Sequence, residues 1–207
     1  RGQLAWDIND SLSSRFIVDY SNRNEECCGA LTSQKAFGAQ DVSTLALTNP
    51  NDQGLDDDAD PYDYRTAVTS GRGRQDDTEA WGVSAELTWD LDNKQLVSIT
   101  AYRDWENRIA GDLDFSGADL FYYLDDSPQV RAFETFTQEL RLQGSWEGGS
   151  WLVGMFYTDE VFNSAFSATY GDDLDNYTRR VVDSILGGGA YDAARGGNSF
   201  ISGQGVN

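Results

Sequence analysis

Apolar and polar side chains alternate with a period of two in six stretches of this chain. The first sets Leu4, Trp6 and Ile8 against Gln3, Ala5 and Asp7. The second sets Phe16, Val18 and Tyr20 against Arg15, Ile17 and Asp19. The third is unbroken, with Trp81, Val83, Ala85, Leu87 and Trp89 opposite Ala80, Gly82, Ser84, Glu86 and Thr88. In the fourth, Val97, Ile99 and Ala101 oppose Ser98, Thr100 and Tyr102. In the fifth, Phe136, Leu140 and Leu142 oppose Thr135, Thr137, Glu139, Arg141 and Gln143. The sixth alternates more weakly, Trp151, Val153, Met155 and Tyr157 against Leu152, Gly154, Phe156 and Thr158. Successive side chains of a strand point to opposite faces, so each stretch predicts a β-strand with one apolar and one polar face. The predicted strands span about 2–8, 12–24, 78–90, 94–109, 131–146 and 150–162.

The connections alternate between very short and very long. Tight turns join the strands in pairs at Asn9–Ser11, Asp90–Asn93 and Glu147–Ser150, while long polar loops fill 25–77, 111–130 and 165–207. Short turns at one end of every hairpin and long loops at the other are the rhythm of an up-and-down transmembrane β-barrel. Alternation alone also fits a sandwich, whose apolar face meets a second sheet. Strand length separates the two. Three predicted strands run to about 13–16 residues, whereas strands of globular domains usually have ~5–6 and a tilted bilayer crossing takes ~9–11. The expected fold is therefore an all-β, antiparallel wall of about six neighbouring strands with long extracellular loops. The apolar faces of the third and fourth strands are expected to point the same way, toward lipid. Glu86, Glu139 and Arg141 fall on the polar faces, where charge is tolerated in a wet lumen; an Arg facing lipid at the midplane would cost ~2–4 kcal/mol.

Charge sharpens this division. The net charge is −20, from 35 acids and 15 bases, and about −14 of it lies in the three long loops. The strands are nearly neutral. Phosphate recognition needs clustered Lys and Arg, so nucleic acid is excluded as a partner. Aromatic residues make up 13% of the chain, and Trp6, Trp89, Trp146 and Trp151 all lie near the short turns. Amphipathic rings gather at membrane interfaces, and these four predict one such girdle. No apolar run approaches the ~20 residues of a membrane helix, and no basic region followed by an apolar core marks a signal peptide. The opening on strand-like sequence and the Gly-rich stretch at 196–207 predict a section of a larger protein.

Other features are local. Leu174, Tyr177, Val181 and Ile185 recur at helical spacing ahead of Gly187–Gly189, which predicts a helix over 174–186. The adjacent Cys27 and Cys28 sit at the mouth of the first long loop. They could form a vicinal disulfide or stay reduced; oxidising surroundings outside the cytoplasm favour the disulfide. Zinc is not expected, since the chain has no His and no third Cys. The acidic run Asp56–Pro61 could offer clustered carboxylate oxygens to calcium, but it lacks the EF-hand spacing and a solvated loop is the better reading.

Three segments occur in the order seen in one family: 95–105 (QLVSITAYRDW), 136–142 (FTQELRL) and 151–157 (WLVGMFY). Together they resemble TonB-dependent outer-membrane receptors, most strongly over 78–162, and the cysteine pair at a loop mouth is similar to members of that family. The resemblance implies a section of a 22-stranded barrel in the outer membrane of a Gram-negative bacterium. It implies partners absent from this sequence: a plug domain, further wall strands, and TonB reached through an N-terminal region. It implies import of a scarce nutrient, such as an iron-siderophore, cobalamin or an oligosaccharide, with energy transmitted by TonB. No plug, TonB box or C-terminal aromatic strand is recognisable here.

The candidate chemistry is binding, without a cofactor. Loop aromatics Tyr62, Tyr64, Phe121, Tyr122 and Tyr123 could stack on a sugar ring or an aromatic chelator, and Glu139 and Arg141 could line the path inside the wall. Loop packing explains Phe121–Tyr123 equally well. The alternative function is a secreted all-β binding module of lectin-like type. An enzyme is not expected: without His there is no Ser-His-Asp triad or His-metal site, and no pair of carboxylates stands out by spacing.

Overall fold

The computed structural model describes residues 1–26, 62 and 68–196. Its strands are β1 (Gly2–Asn9), β2 (Leu12–Glu26), β3 (Gln75–Leu91), β4 (Lys94–Asp112), β5 (Phe121–Tyr123), β6 (Gln129–Trp146), β7 (Gly149–Ala165) and β8 (Ala168–Tyr170). Two helices follow, α1 (Leu174–Leu186) and α2 (Ala190–Arg195). The six long strands occupy the six alternating stretches, and α1 has the bounds expected of it. The short β5, β8 and α2 carry no periodic signal and were not foreseen. The chain divides into two compact units. One comprises Arg1–Asn24, Asp77–Arg108 and Val130–Ala165, and the other Glu25–Asp76, Ile109–Gln129 and Phe166–Asn207.

The first unit is the wall. Its strands run in the order β1-β2-β3-β4-β6-β7, each hairpin beside the next, and β1 and β7 have one neighbour each, so the sheet is open. Tight turns at Asp10–Ser11, Asp92–Asn93 and Glu147–Gly148 close the three hairpins. Register is continuous along β6 and β7, from Val130↔Ala165 to Trp146↔Gly149. β1 and β2 pair from Gly2↔Val18 to Asn9↔Leu12, with a bulge between Asp7 and Asn9. Gly144 is opposite Trp151, and a Cβ there would lie 2.8 Å from the indole ring, so only glycine lets Trp151 fold over its partner strand.

Cross-strand contacts assign the faces. The Trp81 ring meets Tyr102 at 5.3 Å, Tyr102 Oη donates to Glu134, and Thr100 donates to Gln138 at 2.6 Å. The odd positions of β3 therefore share a face with the even positions of β4 and β6 and, through the β6–β7 register, with the odd positions of β7. On the other face, Arg103 reaches Gly82 and forms an ion pair with Asp19 at 3.0 Å.

This corrects one expectation. Val97, Ile99 and Ala101 point away from the Trp81–Trp89 face, not with it. The two-residue turn Asp92–Asn93 pairs odd positions of β3 with even positions of β4, so Leu96, Ser98, Thr100 and Tyr102 join the tryptophans. Glu86, Glu139 and Arg141 do lie opposite the tryptophan face, and Arg141 Nε sits 3.0 Å from Glu139 Oε1.

The tryptophan face is uncovered. Leu4, Trp6, Phe16, Val18, Tyr20, Trp81, Val83, Leu87, Trp89, Phe136, Trp146, Val153, Met155, Tyr157 and Val161 on it are 38–66% exposed. All eight strands belong to one sheet, and no second sheet packs against this face among the described residues. Thr78, Ala80, Val97 and Asn107, all buried, are on the opposite face, while the small Ser14, paired with Trp6, is buried on the tryptophan face. No helix among the described residues is long and apolar enough to cross a membrane, which says nothing about strands.

The second unit is built from the long connections. The end of β4 pairs with β5 through Gly111↔Tyr123 and Asp112↔Tyr122, and β5 pairs with β8 through Phe121↔Tyr170. Leu120, Tyr123, Leu174 and Tyr191 are buried here, together with Asp112, Asp119 and Asp173.

Candidate functional site

The loop unit is organised by carboxylates. Asp112 is 2% exposed and accepts the backbone N–H of Thr69 at 3.1 Å and of Phe115 at 2.8 Å. Burial pushes its pKa up, and the two N–H groups offset this only in part. Asp173, fully buried, caps no N–H of its own helix; its carboxylate instead accepts the N–H of Asp119 at 3.0 Å. Asp119 in turn accepts the N–H of Asp172 at 3.2 Å and pairs with Arg72, at 2.7 Å to Nε and 2.8 Å to Nη2. Burial lowers the Arg72 pKa, but the hydrogen bond and charge of Asp119 outweigh it and leave the value raised. The guanidinium carbon also lies over the Tyr122 ring, 3.3 Å from its centroid. Residues 72, 119 and 173 come from three separate connections, so this chain of charged hydrogen bonds fastens all three.

A cleft of about 360 Å³ opens beside this network. Arg72, Gln75, Tyr122, Tyr123, Asp125 and Glu26 line it with the glycines at 71, 73 and 111. Gly111 has φ of +94°, and a Cβ there would collide with the carbonyl oxygen of Gly73. The glycines thus let two backbones touch and leave a floor without side chains. Around it stand a guanidinium, an amide, carboxylates and aromatic rings, the groups that bind planar or hydroxyl-rich ligands.

The sequence-predicted residues divide accordingly. Tyr122 and Tyr123 line the cleft. Phe121 does not; its ring packs edge-on against Tyr170 at 5.8 Å. Tyr123 is buried, and Tyr122 is covered on one face by Arg72. Tyr62 is 80% exposed. Tyr64, Cys27 and Cys28 lie outside the described residues. Glu139 and Arg141 belong to the wall and do not line this cleft.

Sequence reasoning missed Arg72 and Arg74. Arg74 packs over Phe115 at 4.7 Å, and its Nε and Nη1 are buried with no acceptor among the described residues. The available signal was the run Ser70-Gly71-Arg72-Gly73-Arg74, two of the four cations of a loop that carries eleven acids. A third feature also went unnoticed. Trp105, Phe133 and Phe162 form a row on the wall face opposite the tryptophans, Trp105 tilted on Phe133 at 5.6 Å and Phe133 stacked on Phe162 at 4.6 Å. A larger hollow of about 580 Å³ lies at the short turns. Three of its polar side chains bond one another, Gln95 to Asp90 and Gln143 to Gln95, each at 2.8 Å.

No protein-family model matches this chain, and neither the curated proteins nor the solved structures contain a match to it.

Proposed function

We propose that this chain is a section of the wall and extracellular loops of an outer-membrane β-barrel receptor that binds a scarce nutrient and imports it with TonB-transmitted energy. One observation carries the membrane reading: the uncovered apolar face. Fifteen large apolar side chains at about half exposure, with roughly 150–200 Å² each, leave well over ~1,000 Å² of apolar surface in water. The largest patch on a typical soluble monomer is ~300–600 Å². Lipid is the solvent that such a face fits, and Glu86, Glu139 and Arg141 on the opposite face, which also carries apolar side chains such as Leu152 and Phe156, suit a wet lumen. The open edges at β1 and β7 call for further strands, which the 22-stranded pattern of the resembled family supplies. A lectin-like sandwich would cover the apolar face with a second sheet.

The cleft at Arg72, Tyr122 and Tyr123 is the best-built place for the nutrient. The test has two parts. The full-length protein should fractionate with the outer membrane and require detergent to stay monodisperse; a monodisperse detergent-free monomer would sink the receptor reading in favour of a secreted module. Replacing Tyr122 by Ala should weaken nutrient binding at least tenfold while leaving membrane insertion intact. Unchanged affinity would move the site elsewhere.

A further inference from the structure

The tryptophan face changes character abruptly partway along the wall. Followed from the short turns toward the long connections, it reaches an aromatic ring on five strands: Tyr20, Trp81, Tyr102, Phe136 and Tyr157. Two positions further along the same face stands a carboxylate on four of them, Glu79, Asp104, Glu134 and Asp159, and an amide, Asn22, on β2. The rings form a belt across the strands. Trp81 meets Tyr102 at 5.3 Å, and Phe136 meets Tyr157 at 6.3 Å. Hydroxyls on the belt reach up to the polar row, Tyr102 Oη to Glu134 at 3.3 Å, while Asn22 Nδ2 donates back to Tyr20 Oη at 3.4 Å. At the short turns the same face carries Trp6, Trp89, Trp146 and Trp151, a second belt.

We propose that bilayer hydrocarbon covers this face only between the two belts, and that the membrane's outer surface crosses the wall at Tyr20, Trp81, Tyr102, Phe136 and Tyr157. Beyond that line β3, β4, β6 and β7 stand in water. This rests on the membrane reading above and adds to it the height at which the membrane sits. Three observations carry it. The first is the distance between the belts. Trp89 and Trp81 are eight positions apart on β3, and Trp146 and Phe136 ten apart on β6. At ~3.3 Å per residue and a tilt of ~40°, that is ~20–25 Å of height, close to the ~25 Å apolar band of a membrane barrel. The second is charge: the face carries none between the belts. Its polar side chains there are satisfied within the wall, as hydrocarbon requires. Thr100 donates to Gln138 at 2.6 Å, Gln138 donates to Ser98 at 3.1 Å, and Ser14 Oγ donates to the Trp6 carbonyl at 3.3 Å. The third is the pair of belts itself. Amphipathic rings bound an apolar band on both sides where the surroundings change from hydrocarbon to water, and a protein partner would need neither belt nor fixed height. Of the exposed large apolar side chains on this face, only Val161 lies beyond the outer belt.

The test is depth-dependent fluorescence quenching in the full-length protein, reconstituted in phosphatidylcholine vesicles. In a Cys27→Ser, Cys28→Ser background, Leu87→Cys, Val83→Cys, Glu79→Cys and Asp159→Cys are made one at a time and labelled with bimane. The quenchers are phosphatidylcholine with a nitroxide on its acyl chain and iodide on both sides of the membrane. Nitroxide lipid should quench the probes at 83 and 87 at least threefold more than those at 79 and 159, and iodide should give the reverse order. Lipid quenching at 79 and 159 as strong as at 83 would put the boundary beyond the belt. Iodide reaching 83 as readily as 79 would put it nearer the short turns. Either result overturns the proposal and leaves the membrane reading standing. Iodide quenching at all four positions, with none by lipid, overturns both.

Discussion

The wall and the loop unit solve opposite problems with one chain. The wall turns large apolar side chains outward, Trp6, Trp146, Val153 and Met155 among them at 58–66% exposure, and holds itself together chiefly by ladder hydrogen bonds. The loop unit does the reverse. It buries Asp112, Asp119 and Asp173 beside Leu120, Tyr123 and Leu174, and satisfies those carboxylates with backbone N–H groups and Arg72. Burying a carboxylate in an ordinary small core is costly unless hydrogen bonds replace its water. Exposing fifteen large apolar groups is costly unless the surroundings are themselves apolar. Under the receptor reading proposed above, the difference teaches that one unit is built for a solvent of hydrocarbon and the other for water.

The harshest way to break that comparison is a charge on the outer wall. Val153→Arg lies at a position already 66% exposed. In water such a surface change is worth within about ±0.5 kcal/mol. In lipid it should destabilise by ~2–4 kcal/mol, depending on depth. Thr137→Arg, on the opposite face, serves as the matched control and should be nearly neutral. Urea unfolding in lipid vesicles reads both. Equal, small effects would show that the two faces meet the same solvent.

The loop unit should break next, from its carboxylates. Asp112→Ala leaves the buried N–H groups of Thr69 and Phe115 without an acceptor, which should cost ~1–3 kcal/mol. The loss should be local, seen as faster hydrogen exchange at those two amides, while the β6–β7 ladder keeps its protection. Asp112→Asn, which keeps one carbonyl acceptor, should lose less.

How much of this was legible follows from how far each signal reaches. The six long strands were legible because each carries its own alternation, and α1 because its apolar residues recur within one helix. The polarity of Glu139 and Arg141 followed from the same pattern. The face of Val97 and Ile99 did not follow from the pattern of β4 alone. It depended on the length of the turn at Asp92–Asn93, which sets parity and could have been counted. β5 and β8 are three residues each and exist because Phe121 finds Tyr170, 49 positions away. The Arg72–Asp119–Asp173 chain joins residues 47 and 54 apart, and no local periodicity encodes such a meeting. The candidate cleft was thus half legible: its tyrosines showed as an aromatic cluster, while the arginine that caps Tyr122 did not.

A gentler probe tests whether that arginine acts by shape or by charge. Arg72→Lys keeps the charge but loses the two-pronged contact with Asp119 and the contact over the Tyr122 ring. The expected loss is ~1 kcal/mol of loop-unit stability, read by denaturant titration of Tyr122 environment. A full rescue by Lys would show that charge alone fastens the connections.

The smallest effects should come from pH, and two carboxylates in the loop unit should respond with opposite sign. Asp183 accepts the backbone N–H of Tyr191 at 2.9 Å, which lowers its pKa below the ordinary carboxylate range despite some desolvation. A lowered acid contributes stability that is present above its unfolded pKa and is lost as pH falls through the folded value. The junction of α1 and α2 should therefore loosen as pH drops below about 4. Asp112 is raised by burial, so between the ordinary carboxylate pKa and its own raised value the folded state binds more proton than the unfolded state. Its contribution should fall as pH rises from about 3.8 through the raised value and should be largest in acid. Hydrogen exchange read amide by amide separates the two: protection at Tyr191 should decline on acidification, while protection at Thr69 and Phe115 should hold or improve over the same range. Parallel loss at all three amides would mean that the loop unit unfolds as one body in acid and that neither carboxylate titrates as its surroundings dictate.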